Sequence, residues 1–275
     1  MPGKIYVVGT PIGNLDDFAP RARETLEKVD FIAAEDTRVT AKLLSRFGIK
    51  KETVSYYEHN KNKKGAYLIA RVLAGENLAV VSDAGMPAIS DPGEDIVRTA
   101  YENGIKVEAV PGPSAVTTAL SVSGFPSGRF CFEGFLSVNR ISRKKHLEEI
   151  KSEKRTLVFY EAPHKLLKTL ADMREVLGER EICVVRELTK IHETVYHFDF
   201  TSAIKHFEEN APRGEFVLII RGAKETEEPA MTPEEALALA KRLVKEGMSA
   251  SAAAKEAAAA SGLKKGEIYK ALIQH

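Results

Sequence analysis

The sequence predicts an α/β protein: two α/β domains with a ligand cleft between them, plus a small C-terminal helical unit of helix-turn-helix type. Three observations carry this. In the first half, short β-branched runs alternate with helical patterns, the signature of a parallel sheet with helices on its faces. Turn formers then cluster at Gly124-Phe125-Pro126-Ser127-Gly128, and the strand pattern restarts after them. Finally, a charged stretch from Lys224 to Pro229 is followed by helical pattern alone.

Each element follows from local chemistry. Ile5–Val8 is an apolar run ended by Gly9-Thr10-Pro11-Ile12-Gly13. Asp17 is placed to cap the next helix, with Pro20 in its first turn, where a missing N–H costs nothing. Phe31–Ala34 is a strand that ends in Glu35-Asp36-Thr37-Arg38, before a helix over Ala41–Phe47. Val54–Tyr57 reads as a third strand and Gly65–Leu73 as a helix. Leu78–Val81 runs into the long turn from Ser82 to Gly93, and Lys106–Val110 into Pro111-Gly112-Pro113, with Ser114 placed to cap the helix behind it. In the second domain, strands are expected at Phe130–Glu133, Thr156–Tyr160, Ile182–Arg186, Thr194–Phe200 and Phe216–Arg221, the third and fourth forming a hairpin. Helices are expected near Lys144–Ile150, Leu166–Val176 and Ser202–Glu209. The tail reads as helices over Pro233–Glu246, Ser251–Ala260 and Gly266–Ile273, with Thr232 and Glu235 forming a capping box. The expected domains are residues 1–123, 124–224 and 225–275.

Composition narrows the function. The chain has 275 residues, long enough for two α/β domains, and its Lys+Arg 40 against Asp+Glu 39 gives no global nucleic-acid signal. Any RNA contact must therefore come from local basic clusters: Arg140 with Arg143, Lys144 and Lys145; Lys61 with Lys63 and Lys64; Lys264 with Lys265. Cys131 and Cys183 sit inside apolar runs and read as buried strand cysteines, and no His/Cys cluster has metal spacing. The start, Met-Pro-Gly-Lys, lacks a signal-peptide pattern, and no apolar run reaches membrane length, so a cytoplasmic protein is expected, with no membrane and no metal.

The chemistry concentrates in the turns. In an open α/β sheet, ligands bind beyond the carboxyl ends of the strands. Three such ends here, residues 9–13, 83–93 and 111–114, carry Gly and Pro, which let backbone approach a ligand and fix the loop. The phosphate motifs fail: there is no GxGxxG spacing in the first turn and no GxxxxGK[ST] anywhere. Asp83 follows its strand directly, where a carboxylate repels phosphate and suits a cationic or neutral ligand. S-adenosylmethionine, with its sulfonium and ammonium groups, satisfies that reading without being singled out by it.

The segments Val7–Leu15, Ala33–Arg38, Val81–Gly93 and Val110–Ala115, supported by Phe159–His164 and Arg186–Lys190, closely resemble the tetrapyrrole methylase-like (class III) methyltransferases, and within them a branch acting on ribosomal RNA. The resemblance implies S-adenosylmethionine as cofactor, bound between two α/β domains, a homodimer, and 2′-O-methylation of the ribose of a decoding-centre cytidine in the 16S rRNA of the small ribosomal subunit. The alternative is a small-molecule or tetrapyrrole methyltransferase of the same superfamily. Against it stand the first turn, which reads Thr-Pro-Ile-Gly-Asn in place of a GxGxGD-like loop, and the added helical tail.

By position in those motifs, the resemblance assigns Asp83, Ala84, Gly85, Met86 and Ile89 to the loop embracing the cofactor, Ser114 and Ala115 to its methionine end, and Pro11 to the cleft near the methyl group. Tyr160, Glu161, Ala162, Leu188 and Phe216 fall where the superfamily holds the adenosine, and plain strand packing accounts for them equally well. A ribose hydroxyl is a poor nucleophile at neutral pH, so a base or a cation nearby is expected. Glu35, Asp36 and Arg38 are the foremost candidates, acid and base together at a strand end, with Glu161, His164, Arg186, Glu187 and Lys190 behind them. An Asp36 helix cap with an ion pair to Arg38 is the competing structural reading. For His164 it is a cap of the following helix.

Overall fold

A computed structural model describes residues 1–224 and 231–274, and only the backbone at residues 61 and 62. The charged stretch expected as a linker, from Lys224 to Pro229, lies outside the described residues beyond its first position. The first part runs β1 (Lys4–Val8), α1 (Pro20–Lys28), β2 (Phe31–Ala34), α2 (Thr37–Arg46), β3 (Glu52–Ser55), α3 (Lys61–Leu73), β4 (Leu78–Val81), α4 (Glu94–Glu102), β5 (Lys106–Val110) and α5 (Ala115–Val122). Then follow β6 (Phe130–Phe135), α6 (Arg140–Glu149), β7 (Thr156–Glu161), α7 (Leu166–Leu177), β8 (Glu181–Arg186), β9 (Thr194–Asp199), α8 (Phe200–Glu209) and β10 (Phe216–Ile220). Both sheets belong to one compact unit, Met1–Ala223.

The first sheet is wholly parallel, in the order β3-β2-β4-β1-β5. Its strands are covered on both faces, which is why β2 and β4 are continuous apolar runs with every residue buried. The side-chain period of two deals their residues to opposite sides. Ile5, Phe31, Ala33, Leu78 and Val80 pack with Leu68 and Val72 of α3 and Ile96 of α4, whereas Val8, Ile32, Ala34, Ala79 and Val81 pack with Ala22 and Leu26 of α1 and Leu44 of α2. Each buried aliphatic side chain contributes about 1.5–3 kcal/mol.

The second sheet is mixed, in the order β6-β7-β10-β8-β9, with β10 antiparallel to both neighbours and β8–β9 forming the expected hairpin. One face carries α6, α7 and α8 through Leu147, Leu170, Met173 and Phe207. The other face takes α5: Val116, Ala119 and Leu120 pack on Val158, Cys183, Val185, Val217 and Ile219. A helix that leaves the first sheet is thus the floor of the second.

The remaining unit, Lys224–His275, holds α9 (Pro233–Lys245), α10 (Ala250–Ser261) and α11 (Lys265–Ile273) around a core of Ala236, Ala240, Ala254, Ala257 and Ile268. The capping box forms as expected, and Gly262 turns the chain after α10 with a φ of 74°. No described helix is long and apolar enough to cross a membrane.

Several local expectations are corrected. Asp17 lies in a short 3-10 turn that Asn14 caps, and the cap position of α1 is Ala19, which makes no side-chain bond. β3 sits two residues earlier than expected, because its parallel register with β2 pairs Ala34 with Ser55 and the chain leaves the sheet at Tyr56. Ser114 holds the cap position of α5 without a side-chain bond, and the position before α7 is Lys165 rather than His164. The long turn after β4 ends in a further helix, α4, which begins at Glu94 directly after Gly93.

Candidate active site

The carboxyl ends of β1, β4 and β5 are drawn together backbone to backbone. A Cβ on Gly9 would lie 2.6 Å from the Gly112 Cα and 2.7 Å from the Met86 sulfur, and one on Gly112 would lie 2.8 Å from the Gly9 carbonyl carbon. Neither position tolerates a side chain, so the turns after β1 and β5 need glycine. Thr10 and Gly85 exchange N–H to carbonyl bonds of 2.9 and 3.1 Å, tying the first turn to the loop after β4. Gly13 extends the first turn to the second sheet: a Cβ there would meet the Lys190 side chain at 2.6 Å.

Between these ends and the second sheet lies a cavity of about 500 Å³, within the range of small-ligand sites. Of the residues expected here, Glu35, Asp83, Ala84, Gly85, Met86, Ile89, Ser114, Ala115, Tyr160, Glu161, Ala162, Leu188 and Phe216 line it. Pro11 does not; it is buried, and its neighbour Ile12 forms that part of the wall. Ser90, Asp91, Phe135, Pro163, Val185, Glu215 and Val217 also line it. Asp91 belongs to the turn of residues 83–93 expected at the ligand.

The segment Glu35–Arg38 is divided by the fold. Glu35 faces the cavity, whereas Asp36 and Arg38 lie outside its lining. Asp36 caps α2, accepting the Arg38 N–H at 2.8 Å, and its carboxylate pairs with the Arg38 guanidinium at 2.6 Å. Those hydrogen bonds hold its carboxyl down at about 2. Its own N–H donates to the Asp83 carboxylate at 3.0 Å, which fixes Asp83 beside the cavity.

The cavity's electrostatics are one-sided. Among the described residues, five carboxylates line it, Glu35, Asp83, Asp91, Glu161 and Glu215, and no Lys, Arg or His does. Glu161 is neutralised by Lys165 at 3.0 Å and hydrogen-bonded to Thr169. Glu215 is held by Lys190 at 2.8 Å. Glu35, Asp83 and Asp91 have no such ion pair among the described residues. Burial, then the carboxylates of Asp91 and Asp83, hold Glu35 above the usual carboxylate range. Burial likewise raises Asp83 and Asp91. Three half-buried or exposed carboxylates without an ion pair among the described residues suit a positively charged ligand. Opposite them, Phe135, Val185, Leu188, Phe216 and Val217 give an apolar wall, and burial pushes the Tyr160 hydroxyl up to about 12.

The loop behind Leu188 reaches the cavity by strain. Glu187 and Thr189 take left-handed backbone, with φ of 52° and 66°, and together turn Leu188 inward. Lys190 clamps the loop, donating to Glu187 at 2.9 Å and to Glu215 at 2.8 Å. Thr189 Oγ1 is buried without a hydrogen-bond partner.

The basic cluster at α6 is partly taken up by ion pairs. Arg143 is buried, with its guanidinium on Asp172 at 2.6 Å; Arg140 bonds to Asp172 and Glu175, and Lys144 to Glu175. Arg143 is thus withdrawn from the cluster, while Arg140 and Lys145 stay exposed. Cys183 is buried as expected, its thiol pushed up to about 11, whereas Cys131, also expected to be buried, is only half-buried, on the edge strand β6.

Known proteins can now be set beside this geometry. The family model described as Tetrapyrrole (Corrin/Porphyrin) Methylases matches residues 4–203. The chain belongs to the tetrapyrrole methylase family. A second model, described as the RsmI C-terminal HTH domain, matches residues 230–275. Proteins named ribosomal RNA small subunit methyltransferase I are 44% identical in Synechocystis, covering 99% of this chain and 98% of the relative, and 45% identical in Escherichia coli O157:H7, covering 99% and 95%. The Thermotoga maritima protein of that name is 46% identical over 80% of this chain and 99% of its own. Among solved structures, diphthine synthase superposes with a TM-score of 0.62 at 14% identity (80% of this chain, 90% of that one). Uroporphyrin-III-C-methyltransferase from Thermus thermophilus does so at 0.57 and 21% (80% and 94%). These last two establish the fold alone. Like its family, this methylase is an S-adenosylmethionine-dependent methyltransferase, and the cavity suits that cofactor. Asp83 and Asp91 are carboxylates of the kind that suit an ammonium and a sulfonium, and the apolar wall is of the kind that suits an adenine.

Proposed function

We propose that this methylase transfers a methyl group to the 2′-oxygen of a ribose in small-subunit ribosomal RNA, that of a decoding-centre cytidine in 16S rRNA, with Glu35 as the general base. The RNA substrate rests on the relatives' shared name at 44–46% identity. The role of Glu35 rests on one observation: it is a cavity-lining carboxylate directly after β2, half-buried and without an ion pair among the described residues.

When bound, S-adenosylmethionine supplies a methyl carbon already activated by its sulfonium. The chain's residues supply alignment and proton removal. The loop Asp83–Ile89 and the start of α5 at Ser114 and Ala115 line the first-sheet side of the cavity, and Tyr160, Leu188 and Phe216 the opposite wall. With no Lys or Arg in the lining, a free alkoxide has no partner there. The hydroxyl proton therefore leaves to a carboxylate as the oxygen–methyl bond forms and the methyl–sulfur bond breaks, and Glu35, held above the ordinary glutamate value by burial and by Asp91 and Asp83, is the acceptor. Asp36 and Arg38 act from outside the cavity, Asp36 by holding Asp83 through its N–H.

The test is methyl transfer to small subunits from a strain lacking the modification, read by nucleoside mass spectrometry. A ribose-methylated cytidine is expected; a base-methylated nucleoside or none overturns the reading. Glu35→Gln should lower kcat about 10²–10⁴-fold while S-adenosylmethionine still binds in a titration calorimeter. In the wild type, the rate should climb with pH through a limb above the ordinary glutamate range, since only ionised Glu35 accepts a proton. That limb should vanish in Glu35→Gln. A working homodimer, implied by the resemblance, is checked by light scattering of the purified chain.

A further inference from the structure

We infer that the RNA strand beside the reacting ribose lies on the outer corner of the first sheet, where β2 and β3 end, on a strip formed by Arg38, Tyr57, His59, Lys63 and Lys64. This rests on the reading of the cavity as an RNA methylation site and names the surface that presents the RNA to it.

The strip is continuous with Glu35. The parallel register pairs Ala34 with Ser55, and the Tyr56 N–H reaches the Ala34 carbonyl at 2.8 Å, so the residues after β3 run alongside Glu35 and Asp36. Tyr56 turns into the core at 2% exposure, and the alternation sends Tyr57 outward at 40%. A tight turn holds it there. The Tyr57 N–H donates to the Asn60 side-chain carbonyl at 2.9 Å, the Asn60 N–H donates back to the Tyr57 carbonyl at 2.9 Å, and Asn60 Nδ2 donates to Ser55 at 3.1 Å. The turn keeps a large part of the ring in solvent. The ring stands edge-on to His59, ring centres 6.2 Å apart, and offers a face to a base.

The charge is suited to phosphate. The Arg38 side chain is 86% exposed and bonds to Asp36 through Nε and Nη2, leaving Nη1 as donor. Lys63 is exposed, and Lys64 lies over the Tyr67 ring at 5.6 Å. The acids beside the corner are Asp36, paired with Arg38 and capping α2, Glu58, which has partners of its own, and Glu35 and Asp83, which line the cavity. Rings interleaved with cations, next to a catalytic cavity, are how single-stranded nucleic acid is held without base-specific contacts. The α6 cluster lacks this character, because Arg143 is buried on Asp172.

The test compares wild type with Tyr57→Ala, Tyr57→Phe and the double variant Lys63→Ala/Lys64→Ala, using unmethylated small subunits at several salt concentrations. Tyr57→Ala should raise KM for subunits about tenfold, as loss of one base stack does, with Tyr57→Phe near wild type and S-adenosylmethionine affinity unchanged in all variants. Losing two phosphate contacts should flatten the salt slope of log affinity by about 1.4. The strip is refuted if wild type methylates subunits while the variants keep its KM and salt slope. It is also refuted if Tyr57→Ala alters oligomeric state, which would make the corner a chain–chain interface, or loses the cofactor, which would make Tyr57 structural. If wild type transfers no methyl to subunits, the functional reading falls and the strip with it.

Discussion

The turns after β1 and β5 and the loop after β8 do one job by opposite means. Both bring the chain up to the same cavity. The first-sheet turns do it by composition: Gly9 and Gly112 have no side chains, so two backbones touch. The β8 loop does it with ordinary residues, Glu187 and Thr189, held in left-handed backbone by the Lys190 clamp and the close approach of Gly13. The difference teaches where a site can be read. Glycine announces its conformation locally, whereas strain imposed by tertiary contact leaves no mark in the residues that bear it.

The comparison is broken most forcefully at Gly112. Gly112→Val places carbon against the Gly9 backbone, which cannot move aside, and should cost about 3 kcal/mol. The melting midpoint should drop by about 8 °C, with S-adenosylmethionine binding lost in calorimetry. A variant that melts and binds like wild type would show that the turns are not in contact. At the second-sheet loop a clamp is lost rather than a backbone contact. Lys190→Met keeps the stem against Gly13 but leaves Glu187 and Glu215 facing each other, and should cost about 1 kcal/mol in a denaturant titration, with weaker cofactor binding. The smallest effect has the opposite sign. Thr189→Gly removes a β-branched residue from left-handed backbone and a buried hydroxyl without a partner, so it should gain somewhat less than about 1 kcal/mol. Its cofactor affinity should fall as the loop relaxes. A destabilised Thr189→Gly would mean that the loop carries no strain.

Glu35 gives the comparison a pH axis. Its carboxyl is raised in the fold, so the folded state binds the proton more tightly than the unfolded chain does. Stability from this group is therefore greatest below the ordinary glutamate value and is lost as pH rises through the raised one. Glu35→Gln removes that loss, and at neutral pH the inactive variant should melt higher than wild type. A lower melting midpoint would contradict the burial that raises Glu35.

Much of the fold was legible because its strands are apolar runs punctuated by Gly and Pro. β2 and β4 coincide with Phe31–Ala34 and Leu78–Val81 to the residue. β3 was misplaced by two residues, since Val54 to Tyr57 is as β-prone as Glu52 to Ser55 and only pairing with β2 decides between them. The site was legible in part. Asp83 sits directly after a strand and pointed to a cationic or neutral ligand, while Glu215 and Phe135 reach the same cavity from positions with no local signature. Arg143 misled for the converse reason: its partner Asp172 lies on another helix, so a buried ion pair looked like a surface charge.

Because α5 begins as a wall of the cavity, at Ala115, and continues as Val116, Ala119 and Leu120 beneath the second sheet, occupancy of the cavity and alignment of the two sheets share one free energy. A ligand that binds only the aligned form draws on the packing of both halves. At a concentration 100 times its dissociation constant it should stabilise the whole of Met1–Ala223 by about 2.7 kcal/mol. The two halves should then unfold together rather than in sequence, and substitutions on the hidden face of α5, far from any ligand atom, should appear as changes in cofactor affinity.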